Sequence, residues 1–205
     1  MRTLAIETAA EACSVALFED GELVAHAHEL VGRGHAERLI PMIAELPERG
    51  RAERVLVDCG PGSFTGVRVG LAAARAFGLA WRADVRGYSS LPLIAATVFA
   101  TPGAPATLTV AIVGGHGEYF VQRFAREGVR SITPLASLKP EEAARLCGTD
   151  PIAGSGAEAM RATGATGTVI DGPPDARNTV LLPPALAALP PSPIYGRAPD
   201  ARLPA

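Results

Sequence analysis

Hydrophobic and polar residues alternate along the first thirty positions in the way that is typical of β-strands. TLAIETA (3–9) and CSVALFED (13–20) are short apolar or alternating runs, and LVAHAHEL (23–30) alternates as a third. The sequence DGE (20–22), between the second and third runs, is a hairpin turn signal. The N-terminal pattern therefore predicts three antiparallel strands.

After these strands, helical and strand patterns alternate along the chain. Leu39, Ile40, Ile43 and Leu46 recur at helical spacing, with Pro41 near enough to the start to be tolerated. In order, the predicted elements are a helix over 34–46, a buried strand over 54–59, a long helix from 65 to about 82, a strand over 85–90, and a helix through Phe99 capped by Ser89 or Ser90.

TPGAPA (101–106) is the clearest break in the pattern, since it holds two prolines and one glycine. Beyond it we expect strands over 107–115 and 117–124, a helix capped by Ser137 and closed at Gly148, and a strand, turn and helix over 151–164. After Gly172 the chain is proline-rich and is predicted to be extended and packed at a surface. The order predicts an α/β fold with a first domain over residues 1–100 and a smaller one over 101–205.

Composition and charge narrow the class of protein. The 205 residues are 48% hydrophobic and 20% charged, and the net charge is −2. No run of arginines makes a basic stripe, which argues against direct tight RNA binding and leaves docking onto the RNA of a partner open. Three cysteines far apart in sequence, no signal-peptide pattern and no apolar run of membrane-spanning length predict a cytoplasmic protein without a membrane contact.

The stretch RVLVDCGPGSFTGVRVGLAAARAFGLAW (54–81) has the strand, glycine turn and helix of a phosphate-binding loop. A P-loop needs lysine after its last glycine, but Val67 and Arg68 follow Gly66. The dinucleotide motif fails as well, because Thr65 stands where the third glycine belongs. The turn is therefore not predicted to hold a nucleotide.

Small residues recur at every fourth position along the same stretch: Gly62, Gly66, Gly70, Ala74 and Gly78. Residues four apart share one face of a helix, so they form a strip without bulk. Glycine within a helix costs about 1 kcal/mol relative to alanine, and close approach of another backbone would compensate. Two interpretations are open: the strip packs on the protein's own sheet, or a partner molecule lies against it.

The usual signatures of catalysis are incomplete. His35 opens the first helix, but Leu39 stands where a second histidine of an HxxxH metal pair belongs. His26 and His28 share one face of a strand, yet no carboxylate or third ligand has fitting spacing, so no metal site is predicted. In GPGSFTG (60–66), Gly66 comes one residue late to be the second glycine of a GxSxG nucleophile elbow.

Four segments of the chain carry a family resemblance. IETAAEACS (6–14) resembles the first phosphate loop of actin-like kinases, which reads roughly DxGT, with Glu7 in place of the aspartate, then Thr8, and Ala9 in place of the glycine. LAIETAAEACSVAL (4–17), HAERLIPMI (35–43) and GPGSFTGVRVGLAAARAFGLA (60–80) together resemble the TsaB family, also called YeaZ. PIYGRAPDA (193–201) resembles the ending of that family.

The resemblance implies an actin-like (ASKHA, ribonuclease H-like) fold of two subdomains with mixed sheets flanked by helices. It implies a non-catalytic partner of TsaD, with TsaE as an assisting ATPase, in making threonylcarbamoyladenosine in tRNA. It also implies tRNA contact only through the complex, a homodimer when the protein is alone, and no cofactor of its own, with a nucleotide at a subunit boundary left open. A degenerate actin-like ATPase or a peptidase-like hydrolase is the alternative.

The resemblance also implies that the first two helices form the surface for self-pairing or TsaD pairing. The residues expected at that surface are His35, Leu39, Ile43, Gly62, Phe64, Gly66, Gly70, Ala74, Phe77 and Gly78. No catalytic residue is expected, and Glu7, Thr8 and Ala9 are expected to form a phosphate loop that has lost its chemistry.

Overall fold

The computed structural model describes residues 1–196, and its first part is built on a five-stranded sheet. The strands are β1 (Arg2–Glu7), β2 (Ala12–Glu19), β3 (Glu22–Leu30), β4 (Arg54–Asp58) and β5 (Asp84–Tyr88), in the order β3-β2-β1-β4-β5. β1, β2 and β3 are antiparallel neighbours, whereas β4 and β5 run parallel to β1. Asp20 and Gly21 both have positive φ in the turn between β2 and β3, which confirms the predicted hairpin.

Three helices cover the two faces of this sheet: α1 (His35–Glu45), α2 (Phe64–Trp81) and α3 (Ser90–Phe99). Leu4 and Ile6 of β1 pack in one core with α1 and α2, and Ala5 packs in another core with α3. Successive side chains of a strand point to opposite faces, so the apolar runs of β1 and β4 serve both layers. Within residues 1–196, no helix is both long enough and apolar enough to cross a membrane.

A second mixed sheet follows the break at residues 101–106. Its strands are β6 (Thr107–Val113), β7 (Tyr119–Ala125), β8 (Arg130–Ser131), β9 (Ala136–Leu138), β10 (Ile152–Ala153) and β11 (Val169–Ile170), with helices α4 (Pro140–Cys147) and α5 (Ala157–Ala162). The order is β11-β10-β6-β7-β8, and β9 also pairs with β7. α3 lies between the sheets, because its apolar residues share one core with β1 and with Leu108 and Val110 of β6.

The predicted cap of α4 is wrong. Ser137 lies in β9 and donates a hydrogen bond from Oγ to Glu118 (2.7 Å), so its side chain is turned away from the helix. Lys139 stands at the cap, and Pro140 begins the helix at a position where its missing N–H costs nothing. The predicted end at Gly148 is confirmed.

The C-terminal segment returns to the first sheet. A short 3-10 helix (Ala176–Leu181) leads into extended chain, and Gly87 and Leu189 exchange two backbone hydrogen bonds of 2.7 and 3.0 Å. Further on, the Ile194 N–H donates to the Cys59 carbonyl (2.8 Å). The predicted extended chain is found only in part, because residues 176–181 form a 3-10 helix and residues 184–187 a turn. The division into domains at residue 100 stays a prediction. Of the predicted family ending, residues 197–201 lie outside the described residues.

Candidate functional site

The strip of small residues at the start of α2 lies against the protein's own β1–β2 loop. A Cβ added to Gly66 would come within 1.9 Å of the Thr8 carbonyl oxygen, and one added to Gly62 within 2.3 Å of the Ala9 carbonyl oxygen. Two hydrogen bonds hold this approach: Ser63 N–H donates to Ala9 O (2.7 Å) and Thr8 Oγ1 donates to Gly66 O (2.8 Å). The glycines are therefore needed for the chain's contact with itself.

This contact extends down the helix and corrects the partner interpretation of the strip. A Cβ on Gly70 would lie 2.4 Å from Thr8 Oγ1, and one on Gly78 would lie 2.4 Å from Val85 of β5. Ala74 is fully buried among the side chains of the first sheet. Gly66, Gly70 and Ala74 were expected to meet a partner, but they are buried against the protein's own β1–β2 loop and sheet. Gly62 and Gly78 are only partly buried, and a place for them in a partner surface stays a prediction.

The expected contact residues of α1 are buried as well. His35 places Nε2 at 2.9 Å from the Ala10 carbonyl and 3.2 Å from the Ala12 carbonyl, so its ring fastens the β1–β2 loop. Leu39 and Ile43 are 0% and 1% exposed and pack into the core of the first sheet. The prediction that these three face a partner is wrong, because they lie on the side of α1 that packs against the first sheet.

The outward faces of α1 and α2 carry a different set of side chains. Ile40 is 49% exposed and Leu79 is 86% exposed, and Ala72 and Ala76 are exposed between Leu79 and the start of α2. The two helices pack against each other. We call Ile40, Ala72, Ala76 and Leu79 the outer helix face. Helical spacing could have located its α2 part, since Ala72, Ala76 and Leu79 lie opposite the buried residues of α2. It could not have located Ile40, which follows buried Leu39 in the same apolar period.

Two aromatic residues of the expected surface are accessible. Phe64 is 62% exposed, and the Arg68 guanidinium lies over its ring at 3.4 Å from the centroid. Phe77 is half-buried and stacks on Trp81 with ring centroids 4.3 Å apart. A place for Phe64 and Phe77 in a partner surface stays a prediction.

The loop that resembles a phosphate loop uses its own amides internally. Glu7 Oε1 accepts hydrogen bonds from the N–H groups of Ala9 (2.7 Å) and Ala10 (3.1 Å). Glu7, Thr8 and Ala9 are all buried. Backbone N–H groups are what such a loop offers to an anion. The shape of the loop is retained, but a carboxyl group of the chain takes the place of the anion.

Glu7 also forms a buried acid pair with Asp58, which sequence reasoning missed. Asp58 ends β4 and accepts hydrogen bonds from Gly60 N–H (2.6 Å) and Ser90 Oγ (2.9 Å). Burial and the neighbouring carboxylate raise the pKa of Glu7 well above its usual range. Glu7 Oε2 and Asp58 Oδ2 have no other partner within residues 1–196. Burial raises the pKa of Asp58 as well, to about 6, and a proton held by Glu7 would give both oxygens a partner. An acid closing an otherwise apolar strand was the available signal.

A cleft with a cavity volume of about 1430 Å³ opens between the two halves of the molecule. One wall is the β1–β2 loop with the start of α2, and the other is formed by residues 112–116 and 154–158. Residues 171–174 and 193–196 complete the lining. The wall near α2 offers no open phosphate loop, because the amides of that loop are bound to Glu7.

One cluster of three side chains within residues 1–196 has the composition of a metal site, and it lies outside the cleft lining. It consists of His26, His28 and Asp175. The prediction that the two histidines are partly exposed strand residues is confirmed, with side chains 20% and 25% exposed. The expectation that no carboxylate or third ligand accompanies the two histidines is wrong, because the fold brings Asp175 to them from the C-terminal part of the chain.

Comparison with known sequences gives a consistent family. The family described as TsaD, tRNA N6-adenosine threonylcarbamoyltransferase, matches residues 27–163. The Escherichia coli K12 protein named tRNA threonylcarbamoyladenosine biosynthesis protein TsaB is 37% identical over 132 residues, which cover 62% of this chain and 56% of that protein. Its Haemophilus influenzae counterpart is 41% identical over 135 residues, with the same coverage. The chain thus spans about 56% of the length of these relatives.

Solved structures extend the similarity over the whole fold. YeaZ from Pseudomonas aeruginosa is 25% identical with a TM-score of 0.79, covering 95% of this chain and 99% of that one. A second P. aeruginosa structure, described as similar to peptidase YeaZ, is 27% identical at the same TM-score, with 96% and 99% coverage. The ethanolamine utilization protein EutJ from Carboxydothermus hydrogenoformans shares the fold alone, at 11% identity and a TM-score of 0.51 over 89% and 90% of the two chains. The predicted actin-like fold is confirmed, and the chain belongs to the TsaD-like family as a member of the TsaB (YeaZ) group.

Proposed function

We propose that the chain is an accessory subunit in the biosynthesis of tRNA threonylcarbamoyladenosine, and that it binds the TsaD transferase through the outer helix face. Relatives named for this pathway support the proposal. The observation that carries it is the outer helix face, where Ile40 and Leu79 remain exposed on two adjoining helices. Exposed apolar side chains on two helices that pack together make a candidate protein interaction site.

The arrangement at the cleft supports an accessory rather than a catalytic role. His35 is bound to loop carbonyls, and Leu39 is in the core where a second metal ligand would be needed. Glu7 occupies the amides that would otherwise hold phosphate. In both features, residues at the positions that a metal pair or a phosphate loop would need instead stabilise the fold, and threonylcarbamoyl transfer is therefore assigned to the partner.

The binding proposal is tested by size-exclusion chromatography of the full chain mixed with TsaD at micromolar concentration. We expect one shared peak for the wild-type chain and separate peaks for Ala76→Arg, because a desolvated arginine at an apolar contact is costly. Ala162→Arg is the matched control, since it places the same side chain on an exposed position of α5. Separate peaks for the wild-type chain, or a shared peak for Ala76→Arg, would contradict the proposal.

The same face serves self-association in this proposal. Pairing with a second copy would bury Leu79, which is 86% exposed, when TsaD is absent. Light scattering should therefore show a dimer for the isolated wild-type chain and a monomer for Ala76→Arg. TsaE and tRNA join through TsaD, in keeping with a net charge of −2.

The cleft is the one observation that favours the alternative, an actin-like ATPase or a hydrolase, because its volume of about 1430 Å³ exceeds what a nucleotide requires. Calorimetry with ATP and magnesium separates the two functions. The accessory proposal predicts no saturable binding by the isolated chain. Tight stoichiometric binding followed by phosphate release would replace it with the ATPase.

A further inference from the structure

His26 and His28 lie two residues apart on β3, so both side chains point to the same face of an edge strand. Asp175, which precedes the 3-10 helix Ala176–Leu181, reaches this face from the C-terminal part of the chain. His26 Nε2 is 3.0 Å from Asp175 Oδ1, and His28 Nδ1 is 3.4 Å from Asp175 Oδ2. Two imidazoles therefore converge on one carboxylate.

The three groups have the donor atoms and the spacing of a transition-metal site. The two ring nitrogens and a carboxylate oxygen all lie within 4.8 Å of one another. Zinc bonds to histidine and carboxylate are about 2.0–2.2 Å, which puts neighbouring ligand atoms of a tetrahedral site about 3.3 Å apart. The two separations from Asp175, 3.0 and 3.4 Å, are close to that value, and no two of the three ligand atoms are more than 4.8 Å apart. Each ring must then carry its hydrogen on the nitrogen turned away from Asp175.

The surroundings hold the carboxylate in place. Asp175 is 4% exposed, and its Oδ1 accepts hydrogen bonds from Ser14 Oγ (3.2 Å) and from the Arg177 N–H (2.9 Å). Ser14 in turn accepts from the Ala176 N–H (3.0 Å). Hydrogen bonds of this kind orient a carboxylate ligand and tune its affinity for a metal.

One neighbouring cation competes with a metal ion. Arg177 Nε lies 3.0 Å from Asp175 Oδ2, but its side chain is 54% exposed and has room to move into solvent. The histidine side chains are 20% and 25% exposed, which leaves an entry path and a coordination position for water. The chain's thiols do not compete, because all three cysteines are buried and burial raises their pKa to about 11 or 12.

We propose that His26, His28 and Asp175 bind one divalent transition-metal ion, with zinc as the best match to two imidazoles and a carboxylate. The bound ion fastens the segment at Asp175 to β3, and so ties the C-terminal part of the chain to the edge of the first sheet. This inference does not depend on the proposed function.

Calorimetric titration of the EDTA-treated full chain with Zn²⁺ is the primary test. We expect one ion per chain for the wild type, and at least tenfold weaker binding for His28→Gln and for Asp175→Asn. The amide oxygen introduced by Asp175→Asn can still accept from the Arg177 N–H, so this variant keeps the local fold. Glu29→Gln is the matched control, because it removes a carboxylate from the opposite face of β3 and should bind zinc as the wild type does.

Two further readouts separate a metal site from a plain ion pair. Co²⁺ should give the visible absorption of a tetrahedral site in the wild type and not in His28→Gln. Arg177→Gln removes the competing cation, so zinc should bind it at least as tightly as the wild type. The proposal is overturned if the wild-type chain takes up no stoichiometric zinc, if His28→Gln binds as the wild type does, or if Arg177→Gln binds tenfold more weakly.

Discussion

Gly66 lies where the start of α2 crosses the β1–β2 loop, with no room for a side chain. We expect Gly66→Ala to lower the free energy of unfolding by about 1–3 kcal/mol, because overpacking against a backbone carbonyl outweighs the helix propensity of alanine. Urea unfolding measures this change in the free energy of unfolding. Gly34→Ala is the control, since its Cβ would meet ordinary contacts of 3.4 Å or more. Equal losses of unfolding free energy in the two variants would show that the β1–β2 loop leaves room for a Cβ at Gly66.

Glu7 makes the stability of the protein depend on pH. Its pKa in the folded state is raised above that in the unfolded chain, so its contribution is complete at low pH and declines as the pH rises towards the folded pKa. Over that range the free energy of unfolding should fall by up to about 1.4 kcal/mol per pH unit.

Glu7→Gln should remove the decline above about pH 6, since an amide donates to Asp58 without ionising. The pKa of Asp58, which burial raises to about 6, limits that residue's own contribution to lower pH. Urea unfolding as a function of pH measures the difference between the two slopes. Glu127→Gln, an exposed change of the same kind, should keep the wild-type slope. A slope in Glu7→Gln equal to that of the wild type would mean that Glu7 is ionised in the folded protein.

Among the elements, the returning C-terminal segment depends on one small residue of β5. A Cβ on Gly87 would come within 2.5 Å of Cys59 Sγ and 2.8 Å of the Pro190 carbonyl oxygen. We expect Gly87→Ala to displace the segment and to accelerate hydrogen exchange at the amides of Leu189 and Ile194. Hydrogen-exchange mass spectrometry measures the exchange rates in this segment.

Arg86→Ala is the control for this experiment, because Arg86 is exposed on the same strand and within residues 1–196 its side chain bonds only to Asp84. Its exchange at Leu189 and Ile194 should match the wild type. Unchanged exchange in Gly87→Ala would show that the segment is held by other contacts, such as the Arg75 hydrogen bond to the Pro191 carbonyl (2.7 Å).

At the scale of the whole molecule, α3 joins both sheets in one core, and the C-terminal segment crosses back to the first sheet. Such sharing favours cooperative unfolding. We expect the fluorescence of Trp81, which reports on the first sheet, and far-ultraviolet circular dichroism of the whole chain to give the same thermal midpoint. Two separated transitions would instead support independent units over residues 1–100 and 101–205.

The features that depend on neighbouring residues in the chain could be predicted from the sequence. The Asp20-Gly21 turn, the apolar runs of β1 and β4, and the helix after the glycine turn all follow from periodicity and turn chemistry. What it could not predict depends on which distant segment fills a given face. Glycine at every fourth position shows that something approaches α2, but not that Thr8 does so. Likewise, nothing in the spacing of His26 and His28 reveals Asp175, which is 149 positions away from His26.

The proposed role is tested most directly by the threonylcarbamoyladenosine content of tRNA, measured by mass spectrometry of nucleosides in cells depleted of this protein. Depletion should remove the modified nucleoside. Re-expression of the wild-type chain or of Ala162→Arg should restore it, whereas Ala76→Arg should not. Full modification in depleted cells, or full rescue by Ala76→Arg, would contradict the account of an accessory subunit that acts through its outer helix face.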